Sequence, residues 1–299
     1  MSGSWRNSLY TPTMIQKIDN NYFIVDCWHH RIIYNDNLRN KISAWKTLTE
    51  DINGGHTLAY DGEFYFCDDT DSGQIKIFSK SASGGGYLLV GNLEGVVGRP
   101  HFIKYDDLTK STYVLSSEAA FMLKLQKTGN DFEITKFNLS YLENVYARSF
   151  SIIGNFIYIV TNSGKIFQTE YLEDSYRVVD CWEVPEKFFR MNFLDKIGDY
   201  WYLTTYQNKR GQIRPNFIRV EELDCLAKND YEDLYQLMDF QGVPYYITHF
   251  DGKHFITEID ICSGIKSFCT NGKFITDIET YYFFERRSEE SALRRQRLI

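Results

Sequence analysis

The sequence predicts an all-β chain folded as a six-bladed β-propeller of four-stranded antiparallel blades, with a short helical tail at its C-terminus. Three observations lead there. A unit of about 45 residues recurs along the chain, turn-forming dipeptides fall at matching places inside the units, and strand-forming aromatics are abundant. The 299 residues include 22 Tyr, 22 Phe and 5 Trp against only 5 prolines. Such side chains fit a pleated, half-buried surface. The ring is expected to occupy residues 1–285 as one domain and the charged tail residues 286–299.

The clearest copies of the unit are HTLAYDGEFYFCDDTDSGQIKIFSK from His56 and YITHFDGKHFITEIDICSGIKSFCT from Tyr246. Each breaks at an Asp-Gly pair, Asp61-Gly62 or Asp251-Gly252, and glycine supplies the positive φ that a tight hairpin requires. SFSIIGNFIYIVTNSGKIFQTEY from Ser149 turns at Gly154-Asn155, and MIQKIDNNYFIVDCWHHRIIYND from Met14 at Asn20-Asn21. Weaker copies begin at Pro100 and Phe193. Starts near residues 14, 56, 101, 149, 193 and 246 make six units, each with material for four strands. In the fifth, residues 221–237 read as a helical insertion in place of a fourth strand. The segment ERRSEESALRRQRLI changes composition to charged and helix-prone, as a tail outside the ring would.

A hydrophobic fraction of 43% with 24% charged residues supports a sizeable core and excludes disorder for most of the chain. The formal charge of -7 argues against nucleic acid as a partner, because phosphate neutralisation calls for a basic face. No apolar run reaches the roughly 18 residues of a membrane span and no secretory leader pattern opens the chain, so a soluble, cytoplasmic protein is expected. The six cysteines are scattered without a CxxC pair and read as free thiols.

The segment YFIVDCWHHRIIYNDNL resembles a blade of the NHL-repeat family, in which an apolar strand ends in Asp, a short polar loop follows, and an Arg-Ile pair opens the next strand. Here these are Asp26, Arg31 and Ile32; FYFCDDTDSGQIKIFSK keeps Asp68 and has Gln74 where the Arg stands. The resemblance implies a propeller in which Asp26 and Arg31 fix a turn. It also implies a range of functions: protein- and RNA-binding modules, lyases and metal-dependent lactonases. Calcium-dependent lactonase-like relatives ring the channel with Glu, Asp and Asn. The corresponding positions here read His56, His101, Arg148 or Ser149, Asn192 or Phe193, and Tyr246, a poor set for a hard cation.

In a propeller the loops leading into the inner strands open on one face of the ring, a common place for a ligand. Reading those loops brings Arg99, Tyr146, Arg148, Arg190, Asn192 and Tyr246 to the mouth as ligand-binding candidates, with His56 and His101 as an acid and base. Arginine forks grip carboxylate or phosphate, and tyrosines offer a stacking face and a hydroxyl. The alternative is that these side chains only bond the backbone of the next blade. No cofactor is expected. A divalent metal would need a third ligand beside the two histidines, from His249 or Tyr246 across the mouth. Asp68-Asp69-Thr70-Asp71 reads as a turn rather than a calcium loop, and His29-His30 as a solvated turn.

Three functions follow. The first is a binding module for a small polar or anionic ligand, saccharide-derived ligands included. The second is a carbohydrate-active lyase or hydrolase at the same mouth, with His56 or His101 as base and an arginine holding a carboxylate. The third is a scaffold that engages a protein partner through the arginine-rich tail.

Overall fold

A computed structural model describes residues 7–285, apart from 83, 96, 97 and 130. The tail anticipated at 286–299 lies outside the described residues. Six antiparallel sheets of four strands follow one another along the chain, and within every sheet the strands lie side by side in sequence order. The first blade runs from β1 (Pro12–Ile18) to β4 (Lys46–Thr49) and the second from β5 (Leu58–Tyr60) to β8 (Tyr87–Glu94). The third runs from β9 (Pro100–Asp106) to β12 (Asp131–Asn138) and the fourth from β13 (Ala147–Ile153) to β16 (Val178–Glu183). The fifth runs from β17 (Arg190–Ile197) to β20 (Glu232–Asp233) and the sixth from β21 (Val243–Phe250) to β24 (Phe274–Glu285). The inner strands therefore begin within three residues of the starts read from the repeat.

The turn chemistry explains why the repeat was legible. Asp251 and Gly252 both take positive φ, 50° and 72°, the pairing that a two-residue hairpin needs to match strand twist. Asp61 instead bonds its own turn, its Oδ1 accepting from the N–H groups of Glu63 (2.8 Å) and Phe64 (2.7 Å). In the first blade the turn is Asp19-Asn20, one residue earlier than expected, because Asp19 takes the positive φ of 52° and Asn21 already pairs with Ile18.

The fifth blade corrects the expected helical insertion. One helical turn, α1 (Asp224–Ala227), is followed by a fourth strand of two residues that pairs Asp233 with Ile218 and Glu232 with Arg219. Leu223 and Leu226 are buried in the apolar layer between the fourth and fifth blades, with Val160, Ile166 and Leu203, and Arg219 pairs with Glu232 beside the short strand.

Among the described residues no strand is exchanged between the first and last blades, and side chains join them. Lys17 pairs with Asp251 at 2.5 Å, Arg39 with Glu279 at 2.8 Å, and the Tyr282 hydroxyl donates to the Asn40 carbonyl at 2.6 Å. On the axis, Phe102, Phe150, Phe193 and Tyr246 come from four different inner strands and touch one another. The Phe102 and Phe193 rings, two blades apart, stack at 5.6 Å, and Phe193 meets Tyr246 at 4.7 Å. This plug divides the channel into two separate openings. No helix among the described residues is long and apolar enough to cross a membrane.

Candidate functional site

At the end of the ring where the inner strands begin lies a cavity of about 290 Å³. Its wall is built from the start of each inner strand and, in every blade but the third, from residues at or just after the end of the second strand, which antiparallel pairing places side by side. His56, Arg99, His101, Tyr146, Arg148 and Arg190 all line it, so six of the eight site residues read from the sequence meet there.

The local backbone explains how they come to face inward. The inner strand carries a β-bulge or register shift at its mouth end in five blades, between Pro12 and Met14, opposite Leu115/Ser116, between Ala147 and Ser149, from Arg190 to Phe193, and between Pro244 and Ile247. The residues passed over include Thr13, His101, Arg148 and Tyr245, and all four line the cavity. A bulge interrupts the ladder and re-aims a side chain, a use common beside binding sites. Behind the bulges, buried acids at the ends of second strands clamp the incoming loops. In β2 (Asn21–Asp26), the Asp26 carboxylate accepts from the N–H groups of Tyr10 (2.8 Å) and Thr11 (2.9 Å) and pairs with Arg31 at 2.9 Å. The turn-fixing pair implied by the NHL-like segment is thus present. In β6 (Phe64–Asp69), Asp68 accepts from His56 N–H (2.8 Å) and Thr57 N–H (2.6 Å). The acidic run is committed to the protein's own groups, with Asp69 bonding Asn53 N–H and Asp71 pairing with Arg99 at 3.1 Å. His29 bonds Asp26 at 2.7 Å and stacks on Tyr10, so it belongs to the same clamp rather than to a solvated turn.

Inside the cavity the His56 and His101 rings stack at 4.1 Å with 21° between their planes. The Tyr245 hydroxyl lies 3.3 Å from His56 Nδ1. Arg99 donates to the Tyr146 hydroxyl at 2.9 Å, and Arg190 to Gln207 Oε1 at 2.5 Å. The Arg148 guanidinium sits between Tyr146 and Tyr245, 5.9 and 5.6 Å from their ring centres, and no carboxylate among the described residues pairs with it. Its Nε is buried without a partner, as is Nδ1 of His101. Burial pushes both imidazoles well below the ordinary histidine value. Arg148 and Arg99 push His56 further, and His56 together with the same two arginines does so for His101. Both rings are therefore neutral at neutral pH. Burial, the largest influence, raises the Tyr245 hydroxyl, while Arg148 works against it.

Two site residues read from the sequence lie elsewhere. Asn192 is passed over by a bulge but turns into the protein, where its amide nitrogen donates to the Pro244 carbonyl at 3.0 Å and links the fifth and sixth blades. Tyr246 belongs to the aromatic plug and faces the opposite opening, a cavity of about 400 Å³ with Gln16 and Lys104 in its wall. Its neighbour Tyr245 takes the place at the mouth. His249 is four residues further along β21, roughly 13 Å away at strand rise, where its ring lies 4.7 Å from His254. Neither Tyr246 nor His249 joins the histidine pair, and the described residues hold no group of three metal-ligating side chains. Reading only the starts of inner strands missed Trp28, Asp71, Asn162, Tyr206, Gln207 and Asp260, which line the cavity from the ends of the second strands or just beyond them. Their signal is positional: each lies at or after the end of a strand that finishes where its blade's inner strand begins.

No family model matches the chain, and no curated protein does. Among solved structures, a putative 6-phosphogluconolactonase from Bacteroides fragilis NCTC 9343 is similar, with 12% identity, a TM-score of 0.64 and coverage of 92% of this chain and 84% of that one. Its counterpart from Bacteroides uniformis ATCC 8492 shows 11% identity and a TM-score of 0.63, covering 92% and 85%. Streptogramin B lyase shows 14% identity and a TM-score of 0.60, covering 95% and 85%. Likeness at these identities establishes the propeller fold and transfers no activity.

Proposed function

We propose that the ring mouth binds a small anionic ligand, with Arg148 as the anchor for its carboxylate or phosphate. One observation carries this reading: a largely enclosed guanidinium that has a buried, unpartnered Nε and, among the described residues, no carboxylate in an ion pair with it. Removing a charge from water without compensation is unfavourable, so such a group is best explained by a ligand that supplies the missing charge. Tyr146, Tyr206, Tyr245 and Trp28 offer flat faces and hydroxyls around it, which suits a sugar-derived or ring-bearing body. A volume of about 290 Å³ suits a small molecule.

The experiment is a thermal-shift screen against sugar acids, sugar phosphates and divalent metals, run on the native protein and on Arg148→Gln. A ligand that binds the folded state raises its apparent stability by mass action. Stabilisation by anions that vanishes in Arg148→Gln supports the proposal. Equal stabilisation of both proteins, or of neither, overturns it.

Catalysis at the same mouth is the second reading, favoured by the unpartnered Nδ1 of the neutral His101, a free base beside a cation. Hydrolysis of 6-phosphogluconolactone, the substrate implied by the description of two structural neighbours, is its direct assay. Turnover lost in His101→Ala supports this reading.

A further inference from the structure

We infer that the stacked His56–His101 pair accepts one proton when a small oxyanion occupies Arg148, so that the mouth captures anion and proton together. The inference rests on the reading of the mouth as an anion site and adds what the histidines do there.

The geometry sets the limits. Two rings 4.1 Å apart disfavour charge on both, so the neutral pair takes up at most one added proton. His101 Nδ1 has no partner and is free to take it. The His101 ring also bonds the Arg148 backbone, which ties it to the strand that carries the anchor. In the free protein the pair faces two guanidiniums. Arg99, on the loop before β9, is already matched by Asp71 from the second blade at 3.1 Å. Arg148, on β13, is matched by nothing acidic.

Among the described residues none of the remaining neighbours forms an ion pair with Arg148 or with either imidazole. Tyr146 from the fourth blade presents its ring edge-on to His101, and burial raises the Tyr245 hydroxyl from the sixth. Asp68 spends its oxygens on Thr57, Thr70 and the backbone of His56, and Cys27 is a thiol whose ionisation burial opposes. Arg190, Tyr206 and Asp260 also line the wall, the Asp260 carboxylate acting on the Tyr206 hydroxyl.

An oxyanion on Arg148 cancels one of the positive charges that add to burial in keeping the pair neutral, and adds a negative one within reach. An opposite charge at roughly 4–6 Å moves a pKa by about one to three units. Because the complex then holds more protons than the free protein, affinity rises as pH falls through the imidazole range. The limiting slope is about tenfold per pH unit for one proton.

Sulfate is the probe, since it stays ionised throughout the range where imidazoles titrate and any proton taken up belongs to the protein. Histidine ring resonances are followed by NMR against pH in sodium sulfate and in sodium chloride of equal ionic strength, for the native protein and for Arg148→Gln. The expected result is an upward shift of at least one unit for one member of the pair in sulfate, absent in Arg148→Gln, with affinity rising toward low pH. Sulfate binding at the mouth with unmoved titrations and a flat affinity profile overturns the inference while leaving the anion site standing. No sulfate effect on any mouth resonance overturns both. His101→Gln provides a second check: its residual sulfate affinity is expected to lose its pH dependence, and an unchanged slope counts against the pair as the acceptor.

Discussion

Asp68 holds His56 at the mouth from behind, its Oδ2 accepting the His56 backbone N–H at 2.8 Å while Oδ1 takes the neighbouring Thr57 N–H at 2.6 Å. The carboxyl is fully buried, and burial pushes it up to about 6 despite the four hydrogen bonds it receives. An Asp in the unfolded chain ionises near 3.9. The folded protein thus holds this proton more tightly, and the group's contribution to stability is greatest below pH 4 and declines as pH rises toward 6. The decline is on the order of 3 kcal/mol. Asp68→Asn is expected to remove that slope and to cost about 1–3 kcal/mol, because an amide presents a donor to one of the N–H groups. Urea melts at pH 4, 5 and 6 check both.

Asp26 makes the opposite case. Although burial works against its charge, His29 and Arg31 hold its carboxyl below the usual range, so its stabilising contribution is present above about pH 4 and is lost as pH falls. Arg31→Ala takes the guanidinium from a fully buried carboxylate that keeps His29 and the Tyr10 and Thr11 N–H groups, and a loss of about 1–3 kcal/mol in denaturant melts is expected.

Arg148→Gln separates function from stability. The substitution removes an uncompensated cation, so the variant is expected to melt no lower than the native protein while its affinity for anions falls at least about tenfold, a loss worth roughly 1.4 kcal/mol. Calorimetric titration with whichever anion stabilises the native protein provides the measurement. A melt lowered by many degrees with affinity intact would show that Arg148 serves the fold.

The two adjacent tyrosines of β21 are expected to behave differently. Tyr245→Phe removes the hydroxyl 3.3 Å from His56 and is expected to weaken ligand binding at the mouth. Tyr246→Phe changes a group on the other side of the aromatic plug and is expected to leave that binding unchanged. Parallel titrations of the two variants decide it.

Much of the architecture was written in local chemistry. Asp251-Gly252 and Asp61-Gly62 marked hairpins because their φ requirements are properties of the dipeptides themselves, and the repeat spacing counted the blades. The fifth blade was harder to read, since burial of Leu223 and Leu226 fixed a single helical turn and a two-residue strand where local propensity favoured a longer helix.

The mouth divides along the same line. That loops carrying His56, Arg99, His101, Tyr146, Arg148 and Arg190 converge follows from the repeat, because equivalent positions in a closed ring share one end. Which side chains enter the cavity was decided only by tertiary structure. A bulge between Pro244 and Ile247 sends Tyr245 to the mouth and Tyr246 to the plug, and another beside Asn192 leaves its amide bonded to Pro244. Alternation along a strand has a period of two, so one extra residue in the ladder reverses the facing of a side chain, and its position depends on contacts between strands rather than on the residues of either strand alone.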